Sequence, residues 1–550
     1  MGKKNGISAK SHQPDRDNSL VLPLLVAFRI FNALFVQTYF DPDEYWQSVE
    51  VSHYLAYGYG HLTWEWRPEN SIRSILHPLV YAGVYRTLDA ICSILGVTSD
   101  DWIILGPRVF QGILAAVGEW SIFRLTGKMF DQRTAYWTLF NMVTSWFWFY
   151  AGVRTYSNSM EAVLTWIGLY YWPWSNSPAR PTSITKALIL AALACVIRPP
   201  GIIFWSFLGW DLLRRSTSKS QLVLQAATIG GCILGLNTIL DYWFYKKWTC
   251  TFYNFLRLNV VEGVSSYYGT HPWHWYATQG IPVVMGTHLL AVIYTVLHPT
   301  VRSHRNSLAS AAGYTILIYS LLPHKEFRFL LPLLGPAMML GGHGLSTWYD
   351  SPTRVKKWVK MVIVVLVIVI PNVLAAIYFA AMHKGGPIQV IDYLRKNKEN
   401  VQDVVFLMPC HSTPFYSSLH TPIPMRFLTC EPPLRVERKQ YYRDENTLFY
   451  QSTENFIVSF FHRQIGNTTA PWKVMYPHRD EVPAPKQSYS IKRYKWPSHL
   501  VMFECVESEM VKALRGSDYV RCARFFNGYF TDDPRQRGDV IVWCRPADAS

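Results

Sequence analysis

Charge is what this 550-residue chain has least of: Asp, Glu, Lys and Arg together make up 16% of it, against about 25% in soluble domains. A wholly soluble globular fold is poorly supported from the outset. A cleavable signal peptide is also missing. The first twenty residues are polar and mixed in charge, and no small-residue cleavage site follows the first apolar run. That run is therefore expected to be an uncleaved signal anchor. The start Met1-Gly2-Lys3-Lys4-Asn5-Gly6 lacks the Ser or Thr of a myristoylation signal. Neither a Walker A sequence nor GxGxxG is present, so a nucleotide donor or a nucleotide-driven pump has no support. The nine cysteines form no CxxC and no Cys/His metal spacing, and there is no internal repeat and no low-complexity tract.

Apolar and aromatic residues are abundant. The chain is 50% hydrophobic, with 22 Trp and 33 Tyr, ring types that collect at membrane–water interfaces. Mean hydropathy is only +0.05, so apolar spans share the chain with a sizeable polar part. Runs of about twenty mostly apolar residues predict about eleven spans: 20–39, 75–95, 102–125, 134–150, 157–174, 184–212, 222–245, 280–298, 308–323, 327–346 and 358–382. Pro breaks some of them, as at Arg198-Pro199-Pro200. The polytopic α-helical module thus covers 20–384, after a cytosolic tail, 1–19. From about 385 to 550, short β-prone runs (VVFLMP, HLVMFECV, DVIVWC) alternate with Pro-rich turns, which predicts a C-terminal α/β domain.

Net charge is +16, but the cations lie in short clusters between apolar runs, which suits cytosolic loops rather than a nucleic-acid groove. Lys3, Lys4 and Lys10, then Arg214, Arg215 and Lys219, then Arg302 and Arg305, then Arg354, Lys356, Lys357 and Lys360 all fall on one side, which the positive-inside rule makes cytosolic. Loops 40–74 and 246–279, the turn at 323–327 and the C-terminal domain then face the lumen. One loop resists: Lys128 to Arg133 is basic yet lands on the luminal side. Either a span between 75 and 150 is miscounted or a helix is re-entrant. A luminal C-terminal domain would expose the sequon Asn467-Thr468-Thr469 to glycosylation. It would also permit a Cys410–Cys430 disulfide, with two buried free thiols as the alternative.

Three polar clusters face the same side. Asp41, Asp43 and Glu44 open loop 40–74 directly after the first span, either as a helix cap or as reactive carboxylates. HPWHWY supplies His271 and His274, as hydrogen-bonded wall residues or, with no third ligand in sight, metal ligands. SLLPHKEFRFLLPLL holds His324, Lys325, Glu326 and Arg328, as an ion-pair knot or as a cation cluster for a phosphate. Arg154 lies in RTYSNSMEA between two apolar runs, where it either snorkels or joins the site. A shared polar site explains all the clusters together better than separate structural roles do. A transporter would be expected to show inverted repeats and polar residues at mid-membrane, and a scaffold would leave the convergence unexplained.

The stretches PDEYWQSVEVSHYL, YGYGHLTWEW, RTYSNSMEAVL, YGTHPWHWY, HKEFRFLLPLL, MPCHSTPFYSSLH and PMRFLTC resemble the family 22 glycosyltransferases of the multi-span GT-C class, and within them the mannosyltransferases of glycosylphosphatidylinositol (GPI) anchor assembly. The resemblance implies transfer of the third mannose, in α1,2 linkage, from dolichyl-phosphate mannose to the GPI precursor at the luminal face of the endoplasmic reticulum membrane. The partners it implies are therefore a lipid-linked donor, a lipid-linked acceptor and the membrane lipids around them. It implies no metal and no cofactor beyond the donor. Inversion at the anomeric carbon needs a base opposite the dolichyl phosphate, and the resemblance gives that role to Asp43, with Glu44 supporting it. His324, Lys325 and Arg328 would hold the donor phosphate. His271, Trp273, His274 and Trp275 would wall the sugar, and Arg154 would bind substrate. Asp41 remains a second acidic residue beside the motif.

Overall fold

The first apolar run becomes helix α1, Val21–Phe35. A computed structural model describes residues 18–98, 100–174, 181–298, 306–434, 442–461 and 494–545. Lys3, Lys4, Lys10, Arg302, Arg305 and Asn467 lie outside the described residues. After α1 the chain runs extended to Asp41. It then forms a wide π turn, Tyr45–Val49, that leads into α2, Glu50–Tyr57, which ends at Gly58 in the left-handed conformation. Next come α3, Leu76–Leu95, and α4, Asp100–Met129. Arg29 of α1 is fully buried against Glu119 of α4, whose carboxylate also accepts the Trp148 indole N–H at 2.5 Å. Two charges sealed in an apolar bundle are tolerated only as such a partnered set.

Contacts at the helix ends locate the miscount. Asp100 and Asp101, which begin α4, pair with Lys398 at 3.6 Å and Arg395 at 2.6 Å in the C-terminal part. At the other end of α4, Gln132 and Tyr136 bond Asn18, just before α1, at 3.1 and 2.9 Å. Helix α4 therefore runs from the face of the C-terminal part to the face of the N-terminal tail. Helix α3 stays on the first of these faces: its start is tied to Asp241, Tyr85 in its middle packs on His53 and Tyr57 of α2, and its end leads into α4. Helix α3, over the expected span 75–95, therefore begins and ends on one face, and Arg133, just past α4, pairs with Asp350.

The expected span 184–212 is two helices, α8, Pro181–Ile197, and α9, Gly201–Arg215, which follow α5, Gln132–Thr144, α6, Trp146–Ala151, and α7, Ser157–Tyr171. Along α8, Ser183 bonds Tyr171 and Arg198 reaches Ser157. Along α9, Gly201 lies against Glu161 and Trp205 against Gly168 and Trp172. The chain folds back at Pro199-Pro200, where a proline pair ends the hydrogen-bond ladder.

The bundle continues through α10, Lys219–Tyr245, then α11, Thr251–Leu256, α12, Ile281–Met285, α13, His288–Leu297, α14, Asn306–Leu321, α15, Leu331–Asp350, α16, Lys357–Val364, and α17, Ile370–Ala381. Among the described residues, Lys219–Tyr245, Phe327–Asp350 and Lys357–Lys396 are long and apolar enough to cross a membrane. The pair Tyr276–Met285 and His288–Leu297, bent by 118°, makes a fourth if it is one span. Only 6% of the apolar window of α10 is buried, as for a helix turned to lipid. By contrast α15 is packed inside, where a Cβ at Gly344 would lie 2.2 Å from the Ala291 carbonyl oxygen. Only glycine lets α13 and α15 approach so closely.

Beyond α18, Gly386–Lys396, the chain builds a five-stranded sheet in the order β2-β1-β3-β5-β4. Strands β1, Val404–Leu407, β2, Met425–Phe427, and β3, His499–Phe503, are parallel, while β4, Val520–Phe525, and β5, Val540–Cys544, complete it antiparallel. The runs VVFLMP, HLVMFECV and DVIVWC supply β1, β3 and β5. These strands are buried over most of their length, which is why they read as unbroken apolar runs. Cys410–Cys430 and Cys522–Cys544 are disulfides, so the bridge, not the free-thiol alternative, holds at Cys410 and Cys430.

Candidate active site

The sequence DPDEYWQ starts its helix in a way that frees carboxylates. A residue before proline is held extended, which makes Asp41 the last residue outside the helix. The Pro42 carbonyl accepts the Tyr45 and Trp46 N–H groups at 3.0 and 2.9 Å. Asp41 Oδ1 accepts the Asp43 N–H at 3.0 Å, an Asx-type turn. The capping role and the site role therefore coexist, because both Asp41 and Asp43 also converge on one guanidinium. Arg328 Nη1 lies 3.3 Å from Asp41 and 2.5 Å from Asp43, and its Nε pairs with Glu326. The guanidinium is buried, while the Asp41 and Asp43 side chains keep 25% and 21% of their surface open. Burial pushes Asp41 up to about 7, with Glu326 and Asp43 adding to the shift against the pull of Arg328.

The HKEFRF turn reaches this point at the mouth of α15. His324 Nε2 lies 2.8 Å from Glu326 Oε1, and its Nδ1 lies 3.0 Å from the Gly269 carbonyl. Burial opposes charge on His324, but the hydrogen bond and charge of Glu326 outweigh it and raise the imidazole above its ordinary value. Burial would also raise Glu326; Arg328 and His324 together hold it below the usual carboxylate range. Lys325 is buried, and its ammonium donates to the carbonyls of Leu322 and, at 3.0 Å, His271. In this arrangement the cations of HKEFRF face carboxylates and carbonyls. The knot reading describes their resting contacts, with Glu326 pairing Arg328 and His324.

Glu44 occupies a different environment from its neighbour Asp43. It is buried, with Arg154 at 2.6 Å and Arg108 at 3.2 Å, and its own carbonyl accepts the Thr155 hydroxyl at 2.9 Å. Arg154 does not snorkel; it contacts Glu44 from the buried side. It is fully buried, donating to Tyr150 O at 2.8 Å, Thr38 O at 2.7 Å and Thr38 Oγ1 at 3.0 Å. Exposed His271 stacks on buried Trp275 at 4.7 Å, and its carbonyl accepts the Lys325 ammonium. Trp273 is 73% exposed, and His274, also exposed, bonds Thr278 in its own helix turn. Trp275 thus lies beneath, and the other three are open at the surface.

Sequence reasoning gave no site role to the neighbours Arg73, His77 and Arg198. A small cavity of about 20 Å³ beside the helix start is lined by Gln47, Arg73, Ser74, His77, Ser157 and Thr251, among others. Arg73 pairs with Glu65 at 2.9 Å and feels the charge of Asp43, and Arg198 pairs with Glu161 at 3.2 Å. The ring nitrogens of buried His77 have no hydrogen-bond partner among the described residues. Polar residues inside otherwise apolar runs were the available signal. The cluster Cys410, His411 and Cys430 has metal-site spacing, but its two sulfurs are bonded to each other and only the imidazole remains as a ligand.

Residues 20–420 match the Alg9-like mannosyltransferase family. The chain is 36% identical over 524 residues to "GPI alpha-1,2-mannosyltransferase 3" of Homo sapiens, covering 94% of this chain and 85% of the human protein. It is 34% identical to "Mannosyltransferase APTG1" of Arabidopsis thaliana, covering 94% and 90%. In fold it is similar to the crystal structure of ArnT from Cupriavidus metallidurans bound to undecaprenyl phosphate, with a TM-score of 0.51 at 12% identity, covering 95% of this chain and 97% of that one.

Proposed function

This chain belongs to the Alg9-like mannosyltransferase family, and from that membership we propose that it adds the third mannose, in α1,2 linkage, to the GPI-anchor precursor, taking it from dolichyl-phosphate mannose at the luminal face of the endoplasmic reticulum membrane. That reading takes eleven helical passes, with α3 on the interface and α8 and α9 separate, so that Asp43 and the C-terminal part from about 385 would share that face. The observation that carries the chemistry is Asp43 on Arg328, half-open at the rim where two lipid headgroups would meet.

Asp43 is the base. Asp41 Oδ1 accepts the helix N–H and lies 3.3 Å from Arg328, while Asp43 meets Arg328 at 2.5 Å. As the acceptor hydroxyl attacks the anomeric carbon, its proton passes to Asp43 and the donor C–O bond breaks, leaving the electron pair on dolichyl phosphate. Protonation of Asp43 weakens its hold on Arg328, whose charge then becomes available to the leaving phosphate. Lys325 and His324 shape the turn that presents Arg328, and His271 and Trp275 back it. Glu44, with Arg154 and Arg108, positions the base from behind. Purified protein should move radiolabelled mannose from the dolichyl donor to a di-mannosyl GPI lipid, and cells without it should accumulate that lipid. Lipid flipping without mannose transfer would instead indicate a scramblase.

A further inference from the structure

The segment Met408–His420, MPCHSTPFYSSLH, has no part in the chemistry above, yet it lies along the helix that carries Asp43. It leaves β1 and returns to β2, and the Cys410–Cys430 bridge ties its start to the residues past β2. Its contacts run along the helix like rungs. The Tyr39 hydroxyl donates to His411 O. Trp46 Nε1 donates to Thr413 O at 3.1 Å, and its ring packs on His411, Phe415 and Phe427 at 4.6, 5.3 and 5.0 Å. Glu50, fully buried, accepts the Phe415 N–H at 2.8 Å, the Ser417 N–H at 3.2 Å and the Ser417 hydroxyl at 2.6 Å. His53 Nε2 meets His420 Nδ1 at 3.0 Å. Asp43 lies between the first two rungs, and His411 is near enough to feel its charge.

Two features make this contact rigid. A buried carboxylate is tolerated only while its donors are in place. The Phe415 and Ser417 groups that donate to Glu50 belong to the segment, so helix and segment move together or not at all. Between Asp43 and Glu50 the backbone takes the π turn Tyr45–Val49. Such turns occur often at functional sites, and this one lies between Asp43 and the Glu50 anchor, so the angle of Asp43 depends on what holds the helix beyond it.

We propose that the disulfide-bound segment Met408–His420 is a positioning element of the active site: Glu50 and the Cys410–Cys430 bridge set the angle at which Asp43 is presented, making this one segment of the C-terminal part a working part of the catalytic machinery. The inference rests on Asp43 as the base. Neither Glu50 nor the bridge touches substrate.

Glu50→Gln keeps the shape but turns an amide –NH2 toward N–H donors. It should lower kcat at least about tenfold with KM for both lipids unchanged, since small misplacements of a reacting group cost up to about a hundredfold. Cys410→Ser/Cys430→Ser should do the same, and combining it with Glu50→Gln should add nothing, because both act through one segment. Cys522→Ser/Cys544→Ser, which opens the bridge between β4 and β5 at the far side of the sheet from β2, should keep wild-type kcat. Ser417→Ala and Tyr39→Phe, which remove single bonds, serve if Glu50→Gln does not fold and should each lower kcat about two- to fivefold. Wild-type kcat in the folded variants, a loss confined to KM, or independent additive losses would overturn the proposal. Hydrogen exchange of residues 43–57 separates this from failure of the functional reading. Protection should fall in Cys410→Ser/Cys430→Ser whether or not mannose is transferred, and unchanged protection overturns the positioning role. A wild-type protein that transfers no mannose overturns the assigned reaction instead.

Discussion

Replacing Arg154 by alanine separates a substrate ligand from a structural keystone. The side chain is fully buried and contacts Glu44 at 2.6 Å, Thr38 O at 2.7 Å, Tyr150 O at 2.8 Å and Thr38 Oγ1 at 3.0 Å. Without it, Glu44 keeps Arg108 at 3.2 Å as its cation, and the Tyr150 and Thr38 carbonyls lose their guanidinium partner. Removing one partner of a buried ion pair costs about 3–5 kcal/mol. Each stranded acceptor adds about 1–3 kcal/mol where water cannot reach it, although these terms overlap and do not sum. Even the lower figure is more than a hundredfold in the folding equilibrium. Heating detergent-solubilised protein and measuring the monodisperse fraction should show Arg154→Ala collapsing well below wild type. Arg154→Met/Glu44→Gln, which removes both charges, should recover part of the loss. An Arg154→Ala protein of normal stability with a raised substrate KM would return Arg154 to the substrate-binding role and refute the keystone assignment.

Asp43→Asn should insert, keep its abundance and lose about 10²–10⁴-fold in rate, with the di-mannosyl GPI lipid accumulating; Asp41→Asn should cost about 1 kcal/mol of stability and retain most turnover, and the reverse ranking in a mannosyltransfer assay would move the base to Asp41. Arg328→Lys keeps the charge but cannot address Asp41, Asp43 and Glu326 together, so turnover should fall and donor dependence rise; a titration of dolichyl donor identical to wild type would leave Arg328 as a purely structural knot. His324 has an ordinary value of 6.5 and is raised in the fold, so its contact with Glu326 contributes stability that is complete below pH 6.5 and lost as pH climbs past the raised value. Melting temperature should therefore decline across that window in wild type and less steeply in His324→Asn; parallel profiles would show that the pair carries no such linkage.

Hydropathy and residue type, which are local, determined much of this protein from the sequence: the apolar helices, the β-prone runs of the C-terminal part, and the residues from which a polar site was assembled. They could not separate α3 from a membrane pass, because an interfacial helix and a spanning helix share the same apolar content. Only the pairing of Asp100 and Asp101 with Lys398 and Arg395 places the beginning of α4 on the face where α3 began. Nor could they distinguish Asp43 from Glu44, adjacent carboxylates in one motif. Helix phase turns Glu44 inward between Arg154 and Arg108 and leaves Asp43 at the rim on Arg328. The same limit hid the partner of Glu50, which lies in a segment hundreds of residues away. A side chain's chemistry is written in its own position, but which groups surround it depends on how distant helices pack, and burial with those partners decides whether a carboxylate acts as a base or as a brace.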